Sequence, residues 1–144
     1  MDIQTLSKLP SPFYRVSVKA IILDDKGRLL IGSGDNEEVK GWEIPGGGLE
    51  HNETIEDCLR REIEEELGAE VESIGKIMFV YRGRSDRGWM ITRLAFPVKL
   101  KSFDFNYGDM TKAKFVTKEE LMAVDFDAEE GSIKDYVDRI WPAN

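Results

Sequence analysis

Cysteine and histidine are almost missing from this chain: Cys58 and His51 each stand alone among 144 residues. A single cysteine excludes an intrachain disulfide and any cysteine-built zinc site, and a single histidine leaves no histidine pair to hold a metal. Long apolar runs are missing too. The stretch Ala20, Ile21, Ile22, Leu23 falls far short of the roughly 18 residues that a membrane helix requires. Met1, Asp2, Ile3 and Gln4 form neither a basic flank nor an apolar segment, so a secretory signal is not expected and a reducing, cytoplasmic home is. Positive charge is in short supply, with 20 Lys and Arg against 28 acids, a net charge of -8 and a pI near 4.8. That balance argues against a general nucleic-acid binder, whose affinity rests on basic residues meeting phosphates. A bound phosphate would need a metal ion or a local basic patch. What is present, 41% hydrophobic residues, suffices for one core, since a chain of this length buries roughly 70% of its unfolded surface. Residues 1–144 are therefore expected to form a single domain.

Patterning along the chain alternates between strand and helix. After a leader with Pro10 and Pro12, residues 13–23 alternate apolar positions at Val16, Val18 and Ala20 and then run continuously apolar, which predicts a strand entering a buried sheet. Residues 24–27 read as a hairpin turn, 28–31 as the returning strand and 32–40 as a polar, acidic loop. A short extended piece from Gly41 breaks into Gly46, Gly47 and Gly48. Thr54, with Asp57 three residues on, opens a helix that Gly68 ends, predicted at 54–67. Strands are expected at 71–82 and 89–100 around a hairpin with a basic tip. A polar loop over 101–112, a strand at 113–116, a helix opening at Thr117 and a terminal helix over 132–141 complete the series. The expected fold class is α/β, a mixed sheet flanked by helices.

Within the first helix, Glu62, Glu64, Glu65 and Glu66 crowd the C-terminal end. A helix C-terminus carries about half a negative charge, so acids there cost roughly 0.3 to 1 kcal/mol each. Like charges three or four positions apart add about 0.2 to 0.5 kcal/mol of repulsion per pair. Local stability does not explain them. At about 100° per residue, Glu62, Glu65 and Glu66 fall in one arc and are expected to converge on a point, while Glu64 points elsewhere. That arc borders the apolar stripe Ile55, Leu59, Ile63 and Leu67. A divalent cation makes such a cluster tolerable, and oxygen ligands at that density favour Mg or Mn over zinc. Gly46, Gly47 and Gly48 just upstream allow backbone groups to approach a bound ion or phosphate.

The segment from Gly47 to Ala69 resembles the Nudix box: Gly47, five residues, Glu53, seven residues, then Arg61, Glu62, Ile63, any residue, Glu65, Glu66, any residue, Gly68 and Ala69. Ala69 stands where a larger aliphatic is usual and Asn52 where many members have glycine. Asn tolerates a left-handed turn better than most residues. The resemblance implies a Nudix-like α/β/α sandwich and Mg (or Mn) bound by Glu62, Glu65 and Glu66 with the carbonyl of Gly47. It also implies that Arg61 and Glu53 form a supporting pair. The implied chemistry is attack of water on a phosphorus of a diphosphate within a nucleoside diphosphate derivative or a nucleoside triphosphate. The general base is expected to be Glu65 or Glu66, or else an acid from the later loop, where Asp109 is a better placed candidate than Asp104. For the rest of the substrate, Trp42, Tyr81 and Trp89 are candidate stacking platforms, and Arg82, Arg84, Arg87 and Arg93 a candidate phosphate-gripping patch. Cys58 is expected to pack rather than react. The alternative is a non-catalytic Nudix domain that binds a nucleotide as a sensor. Many members pair as homodimers, and the composition does not decide the oligomeric state.

Overall fold

The computed structural model describes residues 2, 4–5, 8, 13–34, 41–84, 88, 90–126 and 131–143. The elements that build the fold are β1 (Tyr14–Ile21), β2 (Leu29–Ser33), β3 (Gly46–Gly48), α1 (Ile55–Leu67), β4 (Val71–Ile74), β5 (Phe79–Arg84), β6 (Met90–Leu100), β7 (Lys112–Val116), α2 (Lys118–Ala123) and α3 (Val137–Ile140), the last preceded by a 3-10 turn at Gly131–Tyr136. β3, β1, β6 and β4 lie side by side in that order, with β5 also pairing β6. β1 and β6 are parallel and the other pairs antiparallel, so the sheet is mixed. β2 and β7 form a separate antiparallel pair.

The continuous apolar runs have a direct cause. Successive strand residues point to opposite faces, and both faces here are covered. Ala20, Ile22 and Leu30 enter one core with Cys58, Leu59, Ile63 and Leu67 of α1. Ile21, Leu29 and Ile31 enter the other with Leu121, Ile133, Val137 and Ile140 from the C-terminal elements. Helices therefore flank the strands on both sides, as the α/β/α reading requires. Among the described residues, no helix is long and apolar enough to cross a membrane.

Three expectations change. The strand expected over 71–82 is two strands. Between the pairs Ile74 with Val98 and Phe79 with Ala95, four residues face two. Pro97 lies opposite this break; it offers its carbonyl to the N–H of Gly75 at 2.9 Å but has no N–H to return, so the ladder cannot continue. The turn at 24–27 forms, with the N–H of Gly27 on the carbonyl of Asp24 at 3.0 Å, yet β2 leaves its hairpin partner after Leu23 with Leu29 and builds its ladder with β7 instead. The terminal helix is a 3-10 turn followed by a single α-turn. The leader prolines and most of the acidic loop lie outside the described residues.

Candidate active site

α1 starts and stops where the sequence says. The Thr54 hydroxyl accepts from the N–H of Asp57 at 3.1 Å, and Gly68, at φ 61°, closes the helix in the left-handed region that suits glycine. The turn before it needs no left-handed residue at Asn52, because no non-glycine residue among those described has positive φ. Ala69 is buried in the α1 core, so its small size is a packing match.

The centre of the site is Arg61. Its Nε and Nη2 grip both oxygens of Glu53, at 3.0 and 2.7 Å. Its Nη1 reaches Glu62 at 2.8 Å and Glu65 at 3.2 Å, and Nη2 also meets the carbonyl of Gly48 at 3.2 Å. One planar fork thus ties three carboxylates to the glycine strand. Its hydrogen bonds hold the Glu53 carboxyl down to about 2 and push the Arg61 pKa upward in return. Glu62 is held by the same arginine, but burial outweighs that contact and raises its pKa. It lies against β3 so closely that a Cβ on Gly47 would fall on its carboxyl carbon.

Glu66 departs from the expected convergence. At 6% exposure it is one of the few buried charged side chains, and its carboxylate accepts from the N–H of Gly46 at 2.7 Å. Burial drives its pKa well up, opposed by Lys19 and reinforced by Glu43. So Glu62 and Glu65 meet at Arg61 while Glu66 sits on the backbone of β3. Carboxylates this close repel, and here the guanidinium and a peptide N–H separate and satisfy them. Among the described residues, no three His, Cys, Asp or Glu side chains already form a cation cage. Cys58 is fully buried beneath the fork, its Sγ 3.5 Å from the carbonyl of Gly48. Burial and the nearby Glu53 push its thiol up to about 12, which keeps it protonated.

The later acids and the aromatics distribute differently from expectation. Asp109 is brought to α1, its N–H on the Glu65 carbonyl at 2.8 Å, with an exposed side chain; Asp104 is exposed, its N–H on Ser102. Tyr81 and Arg93, expected to face a substrate, are each 2% exposed. Tyr81 packs against Phe79 and Tyr136, and the Arg93 guanidinium lies 5.6 Å from its ring centre. The expected arginine patch divides for the same reason: Arg82 pairs with Thr92 and Tyr81 with Arg93, so period two sends Arg82 and Arg93 to opposite faces. Arg82 is exposed, with Nη1 3.4 Å from the Tyr14 hydroxyl. Trp42 is half-buried, with Lys114 Nζ 4.4 Å and Lys112 Nζ 5.2 Å from its ring centre. It lines a cleft of about 510 Å³ shared with Lys114, Glu120 and Asp125, which none of the α1 acids enters. Trp89 and Arg87 lie outside the described residues.

Lys19 escaped the sequence reading. It is 6% exposed and donates to the Ile44 carbonyl at 3.1 Å, next to buried Glu66. Its signal was present: Arg15, Ser17 and Lys19 are polar at alternate positions of a strand whose other positions, Val16, Val18 and Ala20, are apolar.

A family model for the NUDIX domain matches residues 13–136, most of the chain. The chain belongs to the Nudix family. Among curated Nudix relatives, an RNA pyrophosphohydrolase of Saccharophagus degradans is 39% identical over 88 residues, 56% of this chain and 44% of that protein. A MutT-like protein of Streptomyces ambofaciens is 40% identical over 89 residues, 61% of this chain and 53% of that one. The chain thus spans about half the length of the curated relatives it matches. The solution structure of the E. coli ORF135 protein superposes with a TM-score of 0.74 at 25% identity, over 94% of this chain and 99% of that one.

Proposed function

We propose that this chain hydrolyses a diphosphate linkage in a nucleoside diphosphate derivative or a nucleoside triphosphate, with Mg or Mn as cofactor, in the cytoplasm. The observation that carries this reading is the Arg61 network, which gathers Glu53, Glu62 and Glu65 against the glycine strand. Glu62, Glu65, Glu66 and the Gly47 carbonyl would hold the cation. Their chemistry fits it: every donor is oxygen, as Mg and Mn prefer, and the absence of a Cβ at Gly47 leaves the Glu62 carboxylate room against β3. When bound, such a cation neutralises diphosphate charge and makes water a better nucleophile near neutral pH.

The chain's own residues supply the rest. Arg61 keeps Glu53 ionised through a bidentate contact and holds Glu62 and Glu65 together through its Nη1. Glu65, with a side chain 47% exposed, is the outermost of the three acids and is assigned to proton transfer from water, with Asp109 as the other candidate base. Glu66 is assigned to the cation. Exposed Arg82 presents a cationic surface, and half-buried Trp42 an aromatic one, for the remainder of the substrate. The name of the Saccharophagus relative supports a second reading, in which RNA carries the diphosphate linkage; the acidic balance of this chain weighs against general nucleic-acid binding but not against recognition of one terminal phosphate group. The test is product analysis with Mg over nucleoside triphosphates, ADP-ribose, nucleoside diphosphate sugars, dinucleoside polyphosphates and a short RNA bearing a 5′-triphosphate. Cleavage of one class names the substrate. Binding without any cleavage would replace the hydrolase by the sensor reading.

A further inference from the structure

We propose that segment 106–110 is a positioning element for the acid turn of α1, and that Gly108 is the residue that lets it dock there. The proposal rests on the acid turn holding a divalent cation, as argued above. The last hydrogen bond inside α1 runs from the N–H of Gly68 to the Glu64 carbonyl at 2.9 Å. The carbonyls of Glu65, Glu66 and Leu67 then lack helical donors, as helix ends do. Segment 106–110 supplies all of them. Asp109 donates to Glu65 at 2.8 Å, Gly108 and Met110 donate to Glu66 at 3.1 and 3.2 Å, and Asn106 donates to Leu67 at 2.9 Å. Four peptide dipoles thus meet the negative end of the very helix whose acids make that end more negative. These bonds offset part of the cost of placing acids at a helix C-terminus.

The segment is fastened on its far side. Met110 is 1% exposed in the α1 core and fills the space beside Gly32, where a Cβ would fall on its sulfur. The N–H of Thr111 then joins the Ser33 carbonyl at 2.9 Å and leads into β7. At the contact itself two glycines face the opposing backbone: a Cβ on Gly108 would fall on the Glu65 carbonyl oxygen, and one on Gly68 on the Asn106 carbonyl oxygen. Gly108 does not adopt the left-handed region, so alanine there fails for lack of space alone, against backbone that cannot swing aside. Relieving that clash separates the segment from the Glu65 and Glu66 carbonyls and loosens the turn from which both carboxylates project.

The test compares Gly108→Ala with Gly27→Ala, which strains a distant turn at φ 74° in open space and so controls for lost stability. Mn²⁺ binding to the full chain without substrate is measured by electron paramagnetic resonance, with amide exchange at Asp109 and Met110 alongside. Gly108→Ala is expected to weaken Mn²⁺ binding by roughly 10 to 100-fold and to speed exchange at both amides, while Gly27→Ala keeps wild-type affinity. Should Gly108→Ala not fold, Met110→Ala, which frees space rather than adding a clash, is expected to shift both readouts in the same direction. Wild-type affinity in the folded variant, or equal weakening by Gly27→Ala, overturns the positioning role alone. A wild-type protein that binds no Mn²⁺ overturns the cation reading and this proposal with it.

Discussion

Arg61 is the residue on which most of the site's charge depends, and its fork geometry makes lysine a poor substitute. Arg61→Lys is expected to keep the fold and lower turnover by tenfold or more, measured as kcat on whichever substrate the panel identifies; unchanged kcat would remove the fork from the account. Glu53 gives a pH prediction with a definite sign. Its folded pKa near 2 lies below the usual 4.5, so the Arg61 contact stabilises the fold fully above about pH 4.5 and is lost as pH falls toward 2. The stability difference between wild type and Glu53→Gln, from denaturant titrations, is therefore expected to shrink over that window. Cys58, with its thiol pushed up to about 12, is expected to resist alkylation in native protein at pH 8 and to react once the chain is unfolded. Rapid native labelling would contradict its burial.

At the scale of elements, the helix that carries the acids was the most legible part of the sequence. Its limits at Thr54 and Gly68 follow from side-chain capping and glycine's freedom at positive φ, both local effects. Thr54→Ala and Thr117→Ala are each expected to cost about 1 kcal/mol, each losing one hydroxyl that accepts a backbone N–H at 3.1 Å, while the Glu120 carboxylate keeps its bond from the residue 117 N–H; equal thermal midpoints for wild type and both variants would contradict this. The break of the expected strand at 75–78 was less legible, since it depends on Pro97 arriving opposite, more than twenty residues later. The partner of β2 was hidden for the same reason: its ladder is with β7, a contact that no local pattern reports. The burial of Tyr81 and Arg93 against each other was not legible, because an aromatic and a cation in a strand look alike in sequence whether they face outward or inward.

Across the whole molecule, the Nudix architecture places α1 on one side of the strands and α2 and α3 on the other, so the acid turn is built between a glycine edge strand and the loop that joins β6 to β7. That Glu62 and Glu65 share one face of the helix could be read from sequence. How the fold tolerates the acid turn could not, because Lys19, the Gly46 N–H and segment 106–110 come from three separate places in the chain. Core substitutions test this architecture: Ile63→Ala, at the centre of the α1 core, is expected to cost about 2 to 5 kcal/mol in a denaturant titration. The most direct test of the central claim is turnover as a function of Mg concentration for the wild type beside Glu65→Gln and Glu66→Gln. Wild type is expected to release phosphorylated products only with Mg present, and both variants to lose orders of magnitude in turnover while still folded. Wild-type turnover in both variants, or turnover indifferent to Mg, would contradict that claim.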